Sequence, residues 1–195
     1  MAAPSLTFHV RGSDAAAATQ SQESAARFRS MVDSHFDFIW RSLRGLGVPA
    51  SLVDDAAQLV FLTASQKLHA ILLGSERSFL FATARGVAAN ARRARTRSRE
   101  VLDDDVLASQ VDGSPDPEQV AASRQARRLL DEILEGMSED LRTVFMLYEL
   151  EGQTMAEIAA LLGAPPGTVA SRLRRAREEF QSAAHRFKAG YGGRT

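Results

Sequence analysis

The sequence predicts an all-α protein: two small helical domains joined by a flexible linker, the C-terminal one a helix-turn-helix. Three observations lead there. Apolar residues recur at i, i+3, i+4 in one segment after another, and no stretch alternates with the period of two that a half-buried strand requires. Residues 100–117, EVLDDDVLASQVDGSPDP, interrupt that pattern with acids, Gly113, Pro115 and Pro117. Beyond them a capping box, a Gly- and Pro-rich turn and an arginine-faced segment follow in close order.

Residues 1–24 are rich in Ala, Ser, Gln and Thr without a sustained period, and read as a disordered N-terminal tail. A first domain spans 25–99. Its first helix carries Phe28, Met31, Val32, Phe36, Ile39, Trp40 and Leu43 on one stripe. Gly45 and Gly47 stop it; they lack any phosphate-loop continuation. Ser51 with Asp54 resembles a capping box and opens a second helix, running to about Leu68 with Val53, Ala56, Ala57, Val60 and Phe61 inward. Gly74–Ser78 reads as a loop. A third helix runs from about Phe79 to Arg97, apolar at its start and arginine-rich at its end. After the acidic linker at 100–117, Asp116 and Pro117 suit the start of a helix. The second domain, 118–187, begins with the stripe Leu129, Leu130, Ile133, Leu134 and Met137. Ser138 opens the next helix, with Leu141, Val144, Phe145 and Tyr148, and Gly152 closes it. Residues 188–195 form a flexible tail.

The 195 residues include 24 basic and 24 acidic side chains, so the formal net charge is zero, and a 45% hydrophobic content suffices for a core. The neutrality hides segregation. Of the basic residues 22 are Arg, with Lys67 and Lys188 the exceptions; six Arg and no acid lie between Arg85 and Arg99, and four Arg between Arg172 and Arg177. Acids gather elsewhere, at Asp103–Asp105 and at Glu132, Glu135, Glu139 and Asp140. Compact arginine clusters on a neutral chain point to local polyanion contacts. The chain has no cysteine, which excludes disulfides, thiolate metal sites and cysteine nucleophiles. His9, His35, His69 and His185 are scattered without metal-ligand spacing, and no acid–base or nucleophile constellation appears, so no metal, no cofactor and no enzyme activity is expected. No apolar run approaches the ~20 residues of a membrane span, and the N-terminus lacks a secretory layout; a cytoplasmic protein is expected.

The strongest local signal lies at 154–180. Thr154-x-x-Glu157 is a full capping box, so a short helix starts at Met155 with Ile158, Ala159, Leu161 and Leu162 inward. Gly163 suits its exit, and Ala164–Gly167 cannot continue it. Thr168 can cap the next helix, in which Val169, Leu173, Ala176 and Phe180 make one seam. The other faces carry Ser171, Arg172, Arg174, Arg175 and Arg177. A short helix, a tight turn and a longer helix with a basic face describe a DNA-binding helix-turn-helix, whose second helix enters the major groove. There arginine pairs bidentately with guanine, and Ser or Thr bonds phosphate or base.

The stretch LLDEILEGMSEDLRTVFMLYELEGQTMAEIAALLGAPPGTVASRLRRAREEF, residues 129–180, resembles the −35-reading domain of bacterial sigma factors. Asp54–Leu62 (DDAAQLVFL) resembles the core-polymerase-binding helix of the same proteins, and Phe79–Arg85 with the arginine run after it resembles their −10 helix. Both domains in this order, with only a short linker between, resemble the extracytoplasmic-function (ECF) class over about residues 25–187. The resemblance implies a factor that binds core RNA polymerase, recognises −35 and −10 promoter elements and promotes DNA melting. It implies polymerase contacts at Asp55, Gln58, Leu59 and Leu62, with burial in the core as the other reading of the two leucines. It implies −10 contacts by Arg85, Asn90, Arg92 and Arg93, and −35 contacts by Thr168, Ser171, Arg172, Arg174 and Arg175. The loop near Leu72–Ser78 would hold an unstacked −10 base. An anti-sigma factor is the further partner implied. A stand-alone helix-turn-helix regulator is the alternative.

The chain departs from the family at several of these places. Gly86 stands where an Asn often reads the unstacked base, Phe79 where Trp is common, Leu59 for Glu, Asn90 for Asp, and Ala170 for a basic residue. The last shifts the implied −35 contacts onto Ser171, Arg174 and Arg175.

Overall fold

A computed structural model describes the backbone of residues 11–99 and 117–192, and the side chains of 19–95, 125–187 and 189. Among the described residues there are seven α-helices: α1 Arg11–Gly45, α2 Val53–Gln66, α3 Glu76–Arg99, α4 Pro117–Gly136, α5 Glu139–Phe145, α6 Met155–Leu162 and α7 Pro166–Gly192. No strand occurs among the described residues. α1–α3 form one helical unit and α4–α7 a second.

α1 begins at Arg11, earlier than the sequence places it, so 11–24, expected as tail, are helical; residues 1–10 lie outside the described residues. The stretch is Ala-rich and free of Pro, which suits a helix even without an apolar stripe. Its core face is also rotated from expectation. Met31, Phe38, Ile39 and Leu43 are buried, whereas Phe36 is 40% exposed and stacks on Phe61 at 6.0 Å. Trp40 is half-buried, and its indole N–H donates to Asp54 Oδ1 at 2.8 Å, tying α1 to the start of α2. Gly47, at φ +93°, turns the chain away from α1 in a conformation that suits glycine.

Ser51 does not cap α2. It lies inside a 3-10 turn, Ala50–Leu52, and the helix starts behind Leu52 without a side-chain cap. α2 buries Val53, Ala56, Ala57, Val60, Phe61 and Ala64 at helical spacing. It ends at Gln66, a second 3-10 turn covers Leu68–Ala70, and α3 starts at Glu76. Arg27 of α1 staples this connection: its guanidinium donates to Leu68 O at 3.2 Å, Ile71 O at 2.6 Å and Glu76 Oε1 at 2.8 Å. The loop beside that staple presents Leu72 and Leu73 to solvent, 75% and 83% exposed. The 100–117 linker lies outside the described residues, apart from Pro117 at the head of α4.

In the second unit Ile133, Leu134, Met137, Leu141, Phe145 and Ala176 pack α4, α5 and α7 together, with Phe145 stacked on Phe180 at 4.9 Å. α5 runs on into a π turn, Met146–Leu150, and Gly152 at φ +64° ends it as expected. α7 reaches Gly192, so part of the expected C-terminal tail is helical.

The two units are packed on one another. Val144, Met146, Leu147, Ile158, Ala159, Val169 and Leu173 of the second join one continuous core with α1, α2 and α3 of the first. At the contact a Cβ on Gly45 would overlap Met146 Cγ, and one on Gly47 would sit 2.7 Å from Arg142 Nη1. The two glycines therefore stop α1 and also let α5 approach. Arg142 is 2% exposed and donates to Leu46 O at 3.1 Å and Met137 O at 3.4 Å. Burial and the neighbouring Arg92 push its guanidinium down to about 10, which leaves it charged at neutral pH.

Candidate nucleic-acid interface

The helix-turn-helix forms as its local chemistry dictates. Thr154 Oγ1 accepts from Glu157 N at 3.3 Å while the Glu157 carboxylate accepts from Thr154 N at 2.8 Å, completing the capping box. Those bonds hold the Glu157 carboxyl below its ordinary range. Gly163 leaves α6 in the left-handed region at φ +61°. α7 then starts at Pro166, two residues before the position at which Thr168 was expected to cap it. Proline needs no N–H partner in a first turn, so the helix begins there, and Pro165 O accepts from Thr168 N at 2.9 Å. Val169, Leu173 and Ala176 are buried as the seam predicts.

The opposite side of α7 is the candidate surface. Ser171, Arg174 and Arg175 are exposed; Thr168 and Arg172 are half-buried. Arg172 pairs with Asp140 at 2.5 Å and Arg174 with Glu178 at 2.7 Å, one turn on. Arg177 pairs with Glu149 at 2.6 Å and lies over the Tyr148 ring at 5.0 Å. The Glu149 hydrogen bond raises its pKa further. Arg175 stands clear of these pairs.

On α2, Asp55, Gln58, Leu59 and Leu62 fall at i, i+3, i+4 and i+7 and are all exposed, so they share one outward face. Leu59 and Leu62 are 49% and 52% exposed, which removes the reading of them as core residues. Leu52, 49% exposed and in the 3-10 turn ahead of α2, lies seven residues before Leu59.

On α3, Asn90 and Arg93 are exposed and hydrogen-bonded to each other. Arg85 and Arg92 are not free. Arg85 Nη2 lies 3.3 Å from Glu139 and 3.7 Å from Asp140, and Arg92 donates to Glu139 Oε2 at 2.9 Å and to Leu46 O at 2.6 Å. Arg95 meets Glu135 at 3.2 Å. The side chains of Arg97 and Arg99 lie outside the described residues. Gly86 is exposed, and a Cβ there would meet nothing within 4 Å, so the helix surface is open at this position.

Sequence reasoning missed the residues that engage α3. Glu135, Glu139 and Asp140 were legible as an acid cluster, yet periodicity within one helix cannot show which other helix it faces. The 96-residue separation between Arg142 and its acceptor Leu46 O is equally invisible to local pattern.

Residues 127–180 match the family model "Sigma-70, region 4". The chain is 41% identical over 66 residues to the ECF RNA polymerase sigma-E factor of Escherichia coli (strain K12), covering 34% of this chain and 35% of that protein. It is 38% identical over the same length to the sigma-E factor of Haemophilus influenzae. The match thus spans about a third of the length of these curated relatives. Among solved structures, CnrH in complex with the cytosolic domain of CnrY superposes with a TM-score of 0.60 at 20% identity, over 85% of this chain and 94% of that one. The sigma factor RpoE of Bartonella quintana, in complex with the anti-sigma factor NepR, gives 0.58 at 21% identity, over 82% and 97%. These likenesses show that the fold extends across both helical units. Residues 127–180 are thus similar to sigma-70 region 4 and to the corresponding stretch of ECF sigma-E factors, and across the remainder the likeness is one of fold.

Proposed function

We propose that this protein acts as an ECF-type sigma factor that binds core RNA polymerase, recognises −35 and −10 promoter elements and promotes melting. It catalyses nothing itself and acts in the cytoplasm. The observation that carries the reading is the coincidence of the region 4 match with a capped helix-turn-helix whose second helix turns Ser171, Arg174 and Arg175 outward. In this reading Arg174 and Arg175 contact guanine edges or phosphates of the −35 element, with Thr168, Ser171 and Arg172 beside them. On α2 the outward face of Asp55, Gln58, Leu59 and Leu62 is the polymerase contact. Two half-exposed leucines flanked by polar groups suit a partner surface better than solvent. On α3 Arg85, Asn90, Arg92 and Arg93 engage the −10 strand backbone, which supplies affinity and salt dependence rather than base choice. Leu72 and Leu73, on the loop held by Arg27, border the site for an unstacked base. An anti-sigma factor is the regulatory partner, a reading that draws on the anti-sigma complex of the Bartonella RpoE neighbour.

The test is promoter-dependent transcription by purified bacterial core polymerase on pooled genomic DNA of the host, with and without this protein. The expected result is discrete new transcript starts sharing a pair of upstream motifs. No new starts, together with tight palindromic duplex binding by the free protein, overturns the reading in favour of a stand-alone regulator.

A further inference from the structure

Five arginines of the first unit meet five carboxylates of the second: Arg41 with Glu151 at 3.0 Å, Arg44 with Asp131 at 3.3 Å, Arg85 with Glu139 and Asp140, Arg92 with Glu139, and Arg95 with Glu135. In each of these pairs the cation comes from α1 or α3 and the anion from the second unit, four of the five from α4 or α5 and Glu151 from just after the π turn. Asp140 also holds Arg172 of α7, so one carboxylate reaches an arginine of each DNA-facing cluster. The consequence shows in exposure. The side chains of Arg85 and Arg92 retain 32% and 21% of their surface, against 70% for Arg174.

We propose that the acidic edge Glu135–Glu139–Asp140 is a built-in substitute for DNA phosphate, which keeps the free chain closed and its α3 arginines masked until DNA displaces it. The inference rests on the reading of Arg85 and Arg92 as DNA contacts. Carboxylate and phosphate both offer paired anionic oxygens to a guanidinium, so the two compete for the same donors in the same geometry. Exposed pairs of this kind are individually weak. A mask assembled from several of them can therefore yield stepwise to a polyanion. The apolar contact of Met146 at Gly45 and the buried Arg142 set the register in which the acids face α3.

The experiment uses the full chain without polymerase. In one variant Glu135→Gln, Glu139→Gln and Asp140→Asn neutralise the edge. In a control, Glu23→Gln, Asp33→Asn and Asp37→Asn remove the same charge from exposed positions of α1. Binding of a short fluorescent duplex of arbitrary sequence is measured at about 0.1 M salt, where the screening length is about 10 Å. The edge variant is expected to bind about tenfold more tightly than the wild type, the control less than about threefold. Equal gains in both overturn the proposal, because bulk charge then explains them; so does an edge variant that binds like the wild type. Because the chain has no cysteine, Lys67→Cys and Gln181→Cys take a donor and acceptor dye cleanly. Energy transfer is expected to fall when the duplex is added, and to start lower in the edge variant. Transfer unmoved by both overturns the closed state as a mask. Neither readout needs polymerase: new transcript starts with an inert acidic edge would refute the mask alone, and a working mask without new starts would refute the sigma role alone.

Discussion

The two arginine clusters look alike in sequence and differ in the fold. On α3, Arg85, Arg92 and Arg95 are claimed from outside their own unit, by carboxylates of α4 and α5. On α7 they are claimed locally, Arg174 by Glu178 on the same helix and Arg177 by Glu149 of the adjoining turn. A local pair swings aside with its helix and leaves the face usable. A pair across a packed interface opens only if the interface gives way or the acid is displaced. Arginine density alone therefore does not identify an available surface; the origin of the counter-charge decides.

The sharpest way to break the contrast is to remove what aligns the units. Arg142→Ala leaves a cavity at a fully buried position and takes a charged donor from the Leu46 and Met137 carbonyls. Large-to-small changes at such sites cost ~2–4 kcal/mol, and that loss is expected in urea or thermal unfolding. A loss below about 0.5 kcal/mol, the usual surface range, would show that the interface does not depend on this residue.

On the α7 side the contrast predicts an ordering. Under the proposed function, Arg175→Ala is expected to weaken −35 binding in the polymerase complex by ~1–3 kcal/mol, the range of a good base contact. Arg177→Ala is expected to cost less, since its guanidinium is already committed to Glu149 and the Tyr148 ring. Competition binding with a −35 duplex measures both, and the reverse order would mean that local pairing does not withdraw an arginine from DNA.

Legibility follows the same division. The helix-turn-helix could be read in detail because its determinants are local: Thr154 and Glu157 are three residues apart, Gly163 needs only its own φ, and the buried seam is a 3.6 period. The outward face of α2 was legible for the same reason. Features of the first unit that depend on tertiary packing were not. Phe36 sits on the apolar stripe yet turns out against Phe61, because Phe38 takes the place against Phe81, at 5.8 Å. Ser51 has a capping residue's chemistry but is held in a 3-10 turn by Leu52 N donating to Pro49 O. The α1 start at Arg11 shows that a helix can run on helix-forming residues without the apolar period that announces one.

A smaller effect tests whether α3 tolerates regular helix chemistry at Gly86. Gly86→Ala places a methyl in open space within a helix, so it is expected to stabilise the protein by up to ~1 kcal/mol, with free-protein DNA binding unchanged. A destabilised Gly86→Ala protein would mean that the position needs glycine for a reason other than space.

The two units also differ in how acid reaches them. In the first, the hydrogen bond from Arg27 holds the Glu76 carboxyl below its ordinary value and ties down the loop bearing Leu72 and Leu73. In the second, the Thr154 backbone and hydroxyl lower Glu157 at the head of α6. A carboxyl whose folded pKa is depressed binds fewer protons when folded than when unfolded. Its stabilisation is therefore complete above the unfolded value of 4.5 and is lost as pH falls through the lower folded value. His35 adds to the first unit in the same direction: burial and Arg77 lower its pKa from 6.5, so the unfolded chain takes up its proton first as pH falls. The first unit is thus expected to begin losing stability near 6.5, before either carboxylate responds. Replacing His35 by Gln should flatten the stability profile just below about pH 6.5 while leaving the steeper acid limb intact. Arg27→Met should reduce that limb by freeing Glu76, and Thr154→Ala should reduce the part that belongs to the helix-turn-helix. Urea unfolding across pH reads all three. An unchanged profile in His35→Gln would place the onset of acid sensitivity elsewhere, whereas separable effects of Arg27→Met and Thr154→Ala would show that the two units keep their own acid responses despite a shared core.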